Sequence, residues 1–325
     1  NGLTELTRDL RSSNLLDYKP DYITYPVNLL SDTFDKVFYS NKWDIIANFS
    51  AHKHVRSEKD KLSVEALIIN NVFGSIKILN LCIKNPPKFF FSVSTDKAAN
   101  PVNIMGASKS IMEKIILSKK NNFRVTTARF ANVAFSNGSL LDGFNYRLNK
   151  NQPLSCPSDI KRFFVTPKQS GLICLLSTFL GNTGNVFFPK LDFENDQIYF
   201  KDIALDFLNK KGLIPYYASS EEDAKNFIIN RGSKYPIYFF QTDTSGEKTF
   251  EEFYTKDEKF TLNKFESLGY IESDSINLSF TEIEKDFKNV FNSTTSTKND
   301  IIKVIKKYVP NFKHIETGKN LDQKM

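Results

Sequence analysis

Through the first 190 residues, short apolar or aromatic runs alternate with longer stretches in which apolar residues recur at helical spacing. The runs at 43–49, 88–94, 123–129 and 185–188 are rich in Ile, Val and Phe and predict strands. Between them, Leu67, Ile68, Val72, Ile76, Leu79 and Ile83 fall on one face of a helix over 64–83. Ile104, Ile111, Met112, Ile115 and Ile116 do the same over 104–117. Pro86-Pro87 ends the first helix and Asn121-Asn122 follows the second. Strands alternating with helices predict an α/β fold: a doubly wound parallel sheet of the Rossmann type, the architecture that holds nucleotides at strand ends.

The pattern loosens after about Gly138. A polar, Phe-rich stretch follows, with isolated helices expected at 199–210, 219–229, 280–292 and 298–309, and the Ser/Thr run 293–297 as a loop. The expected division is a nucleotide-binding domain over 1–139 and a smaller mixed α/β substrate domain with a C-terminal extension over 140–325. The helix and strand of 166–190 are expected to return to the first sheet. A dinucleotide-binding domain opens with strand, glycine-rich turn and helix, whose backbone N–H groups hold the pyrophosphate. No G-x-G-x-x-G occurs, and the chain opens at Asn1-Gly2-Leu3 in a helix marked by Leu3, Leu6 and Leu10. The expectation is a Rossmann-like domain lacking its first strand, turn and helix.

Composition narrows the classes. With 325 residues, 40% of them hydrophobic, the chain can bury a substantial core. The net charge of +7 is not gathered on a face: lysines alternate with acids, as in Glu58-Lys59-Asp60-Lys61, so a nucleic-acid partner is not expected. Cys82, Cys156 and Cys174, and His52, His54 and His314, show neither disulfide nor metal-ligand spacing. No signal peptide opens the chain, and its longest apolar run (Leu172 to Leu176, then Phe179-Leu180) is short of a membrane span. A cytoplasmic protein without a metal or a membrane segment is expected.

The stretch from Ser92 to Lys109 carries the chemistry. A hydrophobic strand delivers Thr95, Asp96 and Lys97 to its C-terminal end, where ligands bind in open α/β sheets. Asn100-Pro101 then leads into a helix on which Met105 and Lys109, four apart, share a face. A hydroxyl, a carboxyl and two amines converge, which can shift pKa values and supply both an acid and a base. The plainer reading, a turn aspartate and two solvated lysines, fits an isolated Thr-Asp-Lys better than one flanked by this strand and helix.

This segment resembles the active-site block of the UDP-N-acetylglucosamine 4,6-dehydratase family of extended short-chain dehydrogenases/reductases. The family has a Ser/Thr-Asp-Lys triplet followed by Tyr-x-x-x-Lys; here Met105 takes the Tyr position. The configuration-retaining members, of the kind that feed bacillosamine and legionaminic acid synthesis, are similar in carrying Met there. Further blocks resemble the family in order along the chain: Asn48-Phe49-Ser50-Ala51-His52-Lys53-His54-Val55, Asn71-Val72-Phe73-Gly74 and Arg129-Phe130-Ala131-Asn132-Val133. Asp159-Ile160-Lys161-Arg162-Phe163-Phe164-Val165-Thr166 and Gly246-Glu247-Lys248 with Glu251-Glu252 follow, with Thr244 where the family has an Arg. The opening helix resembles the one after the family's second strand, and residues 316–325 resemble the legionaminic-pathway C-terminus.

The resemblance implies NAD as cofactor, contacted by Asn28 near the adenine, Ser50, Ala51 and Lys53, with Asn71 steadying the site. Ser94, Lys109, Arg129 and Phe130 complete that set, while His54, Asn132, Ser139, Arg162 and Glu247 are implied to hold the nucleotide sugar. Thr95, Asp96, Lys97, Met105 and Lys109 are the implied catalytic group. A homo-oligomer pairing the helices 64–83 and 104–117 is expected. The implied reaction oxidises sugar C4, which acidifies the C5 proton, expels the C6 hydroxyl and returns the hydride to C6. Lys97 is the expected C5 base and Asp96, kept protonated, the acid for the C6 hydroxyl. A thioether cannot act as a base, so Thr95, helped by the Lys109 charge, is the candidate for the C4 proton. UDP is expected before GDP as the nucleotide. The alternatives are a nucleotide-sugar 4-epimerase, against which Asp96-Lys97 counts, an inverting dehydratase, against which Met105 counts, and a non-catalytic nucleotide-sugar-binding fragment, which the absent glycine turn favours.

Overall fold

The computed structural model describes residues 2–13, 22–54, 58–192, 194–227, 233–248, 250–274 and 276–319. They fall into two units, Asn1–Lys42 and Trp43–Met325. In the first, helix α1 (Gly2–Ser12) buries none of its residues; the Tyr22 hydroxyl donates to the Thr7 carbonyl at 2.8 Å and the Arg11 guanidinium lies over the Tyr22 ring. Helix α2 (Asp32–Tyr39) starts at Ser31, whose hydroxyl accepts the Phe34 N–H. Asn28 shapes the turn before it: its carboxamide oxygen accepts the Leu30 N–H at 2.8 Å.

The second unit opens with β1 (Ile45–Asn48). A long helical run follows as α3 (Lys61–Ile68), a π turn (Ile69–Phe73) and α4 (Gly74–Lys84). Its 24 residues are long and apolar enough to cross a membrane, and it is the one described segment that is. That apolarity is used inside the protein, where Val64, Leu67, Ile68, Val72 and Leu79 have no exposed surface. Strand β2 (Phe89–Thr95) runs into a short 3-10 turn (Asp96–Ala98), then α5 (Ile104–Leu117) and β3 (Val125–Phe130). The expected strands at 43–49, 88–94 and 123–129 all form, each trimmed or shifted by one or two residues.

Next come β4 (Asn132–Val133), α6 (Leu140–Asn149), β5 (Leu154–Pro157) and β6 (Lys161–Val165). Helix α7 (Pro167–Leu180) begins with Pro167 in its first turn and a Thr166–Gln169 capping box, and leads to β7 (Asn185–Pro189). After them stand β8 (Gln197–Tyr199), α8 (Phe200–Lys210), β9 (Ile214–Ala218), α9 (Glu221–Asn226) and β10 (Lys234–Phe240). Strands β11 (Phe260–Thr261) and β12 (Leu268–Glu272) and helices α10 (Phe280–Phe291) and α11 (Lys298–Tyr308) complete the described chain.

The main sheet has six strands in the order β1-β2-β3-β7-β12-β11. Its first four are parallel, and β12 and β11 extend it antiparallel. Every residue of β3 and β7 is buried, so neither alternates between core and solvent, and Thr126, Thr127, Arg129 and Asn185 are buried with their apolar neighbours. Thus residues 260–272, beyond the stretch 166–190, also rejoin this sheet. Two three-stranded sheets, β5-β10-β9 and β4-β6-β8, form the smaller mixed part. The helix face expected to meet a second copy has another occupant: the α10–α11 hairpin. Phe287 and Phe291 pack on the Phe73 ring at 6.4 and 6.1 Å, Lys61 Nζ donates to the Ser293 carbonyl, and Lys114 Nζ donates to the Tyr308 carbonyl. The hairpin therefore covers part of the face expected to meet a second copy, over Lys61, Phe73 and Lys114, while Leu62 and Ile83 stay exposed.

Candidate functional site

Strand β2 ends at Thr95, where the backbone is still extended, and the chain tightens at once into the 3-10 turn that carries Asp96 and Lys97. The Thr95 hydroxyl donates to Asp96 Oδ1 at 2.9 Å. The same oxygen accepts the Lys97 N–H at 2.8 Å and the Lys97 ammonium at 3.1 Å. Asp96 is 1% exposed, and its other oxygen, Oδ2, is buried without a hydrogen-bond partner among the described residues. Lys97 also faces Glu251 Oε1 at 3.8 Å. Burial and the Arg162 charge pull the Lys97 pKa down, but the Asp96 and Glu251 carboxylates outweigh them and raise it. The strand tip thus holds a tight hydroxyl–carboxylate–ammonium cluster with one oxygen unsatisfied.

Helix α5 is set against this cluster by groups at its N-terminus, where backbone N–H groups lack helical partners. Asn103 accepts the Gly106 N–H at 2.7 Å. Glu58 accepts the Ile104 and Met105 N–H groups at 2.8 and 2.7 Å, one on each carboxylate oxygen. Burial pushes Glu58 up to about 7 even against these two bonds. A Cβ on Gly106 would stand 2.5 Å from the Lys97 carbonyl oxygen, so only glycine lets the helix lie so close to the turn. Met105 is buried. Lys109 does not reach Asp96: its ammonium donates to the Val93 carbonyl at 2.8 Å and meets the Met112 sulfur at 3.5 Å. Burial, opposed only by Glu113, lowers its pKa to about 8.

Residues expected around the cofactor have separate tasks. Asn71, in the π turn, accepts the His52 N–H at 2.7 Å and donates to the His52 carbonyl and the Ser108 hydroxyl at 3.0 and 2.9 Å. It ties the segment after β1 to α5, and the widened turn aims it there. Ser50 donates twice to Asn48 Oδ1, and Ala51 is partly buried beside it. Ser94 is buried at the tip of β2 with its hydroxyl unpartnered among the described residues. Phe130 is packed in the core under the sheet. Arg129 departs from its expected role. All five of its guanidinium N–H groups are engaged within the protein, by both oxygens of Glu113, both of Glu258 and the Phe253 carbonyl. No donor is left for a cofactor; Arg129 instead fastens β3 to α5 and to the 253–258 loop. Asn28 belongs to the unit Asn1–Lys42, where its carboxamide shapes a turn.

Four of the five residues expected on the substrate, His54, Asn132, Ser139 and Glu247, line one cavity of about 540 Å3, together with Lys53, Arg147 and Thr244. The fifth, Arg162, joins it through Glu247, Nη2 to Oε2 at 2.9 Å. Burial raises the Glu247 pKa despite the Arg162 and Lys97 charges. Lys53, expected on the cofactor, lines this cavity instead, donating to the Asn137 carbonyl at 2.7 Å; burial lowers its pKa against the pull of Asp142. Gly138 has φ +71°, and a Cβ there would lie 2.8 Å from the His54 ring. Ser139 caps α6, and Asn132 donates to the Phe163 carbonyl at 3.3 Å. The cavity and the Asp96–Lys97 cluster meet at the Arg162–Glu247 pair. Sequence pattern assigned no role to Glu58, Glu113 or Glu258, and Glu251 entered only with the Gly246-Glu247-Lys248 block. Only Glu113 left a signal, as an acid inside the otherwise apolar face Ile111-Met112-Glu113-Lys114-Ile115.

The profile of the family described as polysaccharide biosynthesis protein matches residues 29–273. A relative from Methanocaldococcus jannaschii, described as an uncharacterized membrane protein, is 26% identical over 231 residues, 69% of this chain and 63% of its own length. A UDP-N-acetylglucosamine 4,6-dehydratase (inverting) of Campylobacter jejuni is 29% identical over 158 residues, 46% of either protein. The chain thus spans under two thirds of the length of both. Among solved structures, Pen from Bacillus thuringiensis superposes with a TM-score of 0.65 at 21% identity, covering 90% of this chain and 86% of that one. That likeness establishes the fold. On the profile match and the doubly wound sheet beneath it, the chain belongs to the polysaccharide biosynthesis protein family of extended short-chain dehydrogenases/reductases.

Proposed function

We propose that this protein dehydrates a nucleoside-diphosphate N-acetylglucosamine across C4–C6, UDP before GDP, to its 4-keto-6-deoxy sugar for surface polysaccharide or nonulosonic acid synthesis. One observation carries the reading: Asp96 binds the Thr95 hydroxyl and the Lys97 ammonium on one oxygen and presents the other, buried and without a partner among the described residues, at the tip of a parallel strand. An epimerase needs no acid–base pair of this kind, because it expels no hydroxyl.

The residues fit NAD as the resident cofactor, since two buried polar atoms at the strand tip, Ser94 Oγ and Asp96 Oδ2, lack partners among the described residues. Ser50, Ala51, Ser94 and Phe130 would hold it, with Asn71 and Lys109 fixing the surrounding backbone. Bound there, NAD supplies the hydride acceptor and donor. The chain's own groups then manage protons. The Asp96 and Glu251 carboxylates raise the Lys97 pKa against burial, which favours its ammonium form. For Lys97 to take the C5 proton, one of its own ammonium protons first crosses the 3.1 Å from Nζ to Asp96. The transfer leaves a neutral amine for C5 and a carboxylic acid for the C6 hydroxyl, the two roles that elimination requires. Thr95, bonded to the same carboxylate, relays the C4 proton. His54, Asn132, Ser139 and Glu247, which line the cavity, hold the nucleotide sugar, and Arg162 orients Glu247.

The test is incubation with NAD and UDP- or GDP-N-acetylglucosamine, with the product followed by NMR. Asp96→Asn and Lys97→Met should each lower turnover by about 10²- to 10⁴-fold. A Lys97→Ala enzyme that forms the 4-keto product at the normal rate sinks the assignment. A 4-epimer formed without loss of water identifies an epimerase, and binding without turnover identifies a non-catalytic module.

A further inference from the structure

The segment 311–319 has no helix or strand of its own, yet it is bonded on both sides. On one side lies the loop that leaves Lys97 for α5. Asn311 Nδ2 donates to the Ala99 carbonyl at 3.2 Å, Lys313 N–H to that of Pro101 at 3.2 Å, and Ile315 N–H to that of Val102 at 3.0 Å. On the other side lies the turn that ends at Glu247. The Ile315 carbonyl accepts the Gly246 N–H at 3.0 Å, the Lys319 carbonyl accepts the Ser245 N–H at 2.9 Å, and the Thr317 hydroxyl donates to the Asp243 carbonyl at 2.8 Å. Asn103, the cap of α5, closes the ring by donating to the Gly246 carbonyl at 2.8 Å.

Glu316 ties this segment down. Its Oε1 accepts the Ser245 hydroxyl at 2.7 Å and the Gly318 N–H at 3.1 Å, while Oε2 meets the Lys298 ammonium at 2.5 Å, at the head of α11. The helical hairpin thus anchors one end of a ribbon that joins the Asp96–Lys97 turn to the Glu247 turn. These are the two places a nucleotide sugar has to reach at once: the reacting cluster and the cavity.

We propose that residues 311–319 are a positioning strap of the catalytic site, fastened by Glu316, which sets the spacing between the Asp96–Lys97 turn and the Glu247 turn. The proposal rests on the dehydratase reading. Glu316 touches no reacting group; it acts through the two turns. A displacement of about 1 Å at a reacting centre can cost about a hundredfold in rate, so a modest loosening of the strap is enough to register.

The experiment compares Glu316→Ala, Glu316→Gln and a control, Lys303→Ala, in the whole protein. The readouts are kcat and KM with UDP-N-acetylglucosamine, the urea midpoint, and amide hydrogen exchange over 98–103 and 243–247. Glu316→Ala should lower kcat roughly tenfold or more, leave KM and the urea midpoint near their original values, and speed exchange in both segments. Its side chain is 45% exposed, so global stability has little stake in it. Glu316→Gln keeps an acceptor for Ser245 and should recover most of the rate, while Lys303→Ala should change nothing. Should Glu316→Ala fail to accumulate, Thr317→Val removes the Asp243 bond from the same strap and should give the same pattern. Unchanged exchange, or an unchanged kcat with a lowered midpoint, overturns the proposal by making the segment inert or merely structural. A wild-type protein that forms no 4-keto product defeats the dehydratase reading; the coupling of the two segments then stands or falls on their exchange alone.

Discussion

Arg129→Met separates a structural arginine from a ligand-binding one. Arg129 and Glu113 are each about 5% exposed, and the guanidinium makes all five of its hydrogen bonds to Glu113, Glu258 and the Phe253 carbonyl. Met fills much of the same volume but leaves the Glu113 carboxylate buried without its cation. Removing one member of a buried ion pair costs about 3–5 kcal/mol, because the remaining charge is stranded in a medium that solvates it poorly. With a urea dependence of about 3 kcal/mol per molar, the unfolding midpoint should fall by about 1–1.7 M. Adding Glu113→Leu removes the stranded charge, so the double variant should regain at least half of the loss. NAD binding, followed by calorimetry on the rescued double variant, should match the wild type. A midpoint shift under about 0.3 M in the single variant refutes the reasoning. So does a rescued double variant that no longer binds the cofactor.

Gly106→Ala places a methyl 2.5 Å from the Lys97 carbonyl oxygen; thermal unfolding should show a loss of about 1–3 kcal/mol, and kcat should fall because the Lys97 turn is displaced. Glu58 has a folded pKa raised to about 7, so the folded state binds the extra proton and stability should decline as pH rises from about 4.5 through 7, by at most about 3 kcal/mol. Denaturant titrations of Glu58→Gln should lack that slope and show a weakened α5 start, since a carboxamide offers one acceptor oxygen where the carboxylate offers two. Lys109 has a folded pKa lowered to about 8; the unfolded chain keeps its proton up to about 10.5, so stability should climb between pH 8 and 10.5, and Lys109→Met should flatten that rise.

How much of this was legible follows from where information sits in a chain. The parallel strands and α5 announced themselves because a sheet buried on both faces favours apolar, aromatic and β-branched residues, and Phe89-Phe90-Phe91, Val125-Thr126-Thr127 and Val186-Phe187-Phe188 supply them. Thr95, Asp96 and Lys97 were legible because they are adjacent and sit where such a strand must end. What stayed hidden is what depends on long-range partners. Strand β12 is short and contains Gly269, and it joins the sheet because that glycine lets the Phe188 ring approach, which no local pattern encodes. Glu58 lies in a charged run that reads as a solvated loop, yet it meets Met105, 47 residues away, in the core. Arg129 was misread for the related reason that a buried arginine at a strand end has the same spelling whether it holds a ligand or two carboxylates. Its partner Glu258 comes from 129 residues downstream.

The α10–α11 hairpin has a consequence for assembly. Two copies that met over Phe73 and Lys114 would first have to pry away Phe287, Phe291 and the Tyr308 carbonyl from their seats there. That patch is furnished from within, at an effective concentration no free partner matches. A contact between copies over Phe73 and Lys114 therefore competes with the chain's own hairpin, and turnover per polypeptide should be indifferent to dilution as far as that patch is concerned.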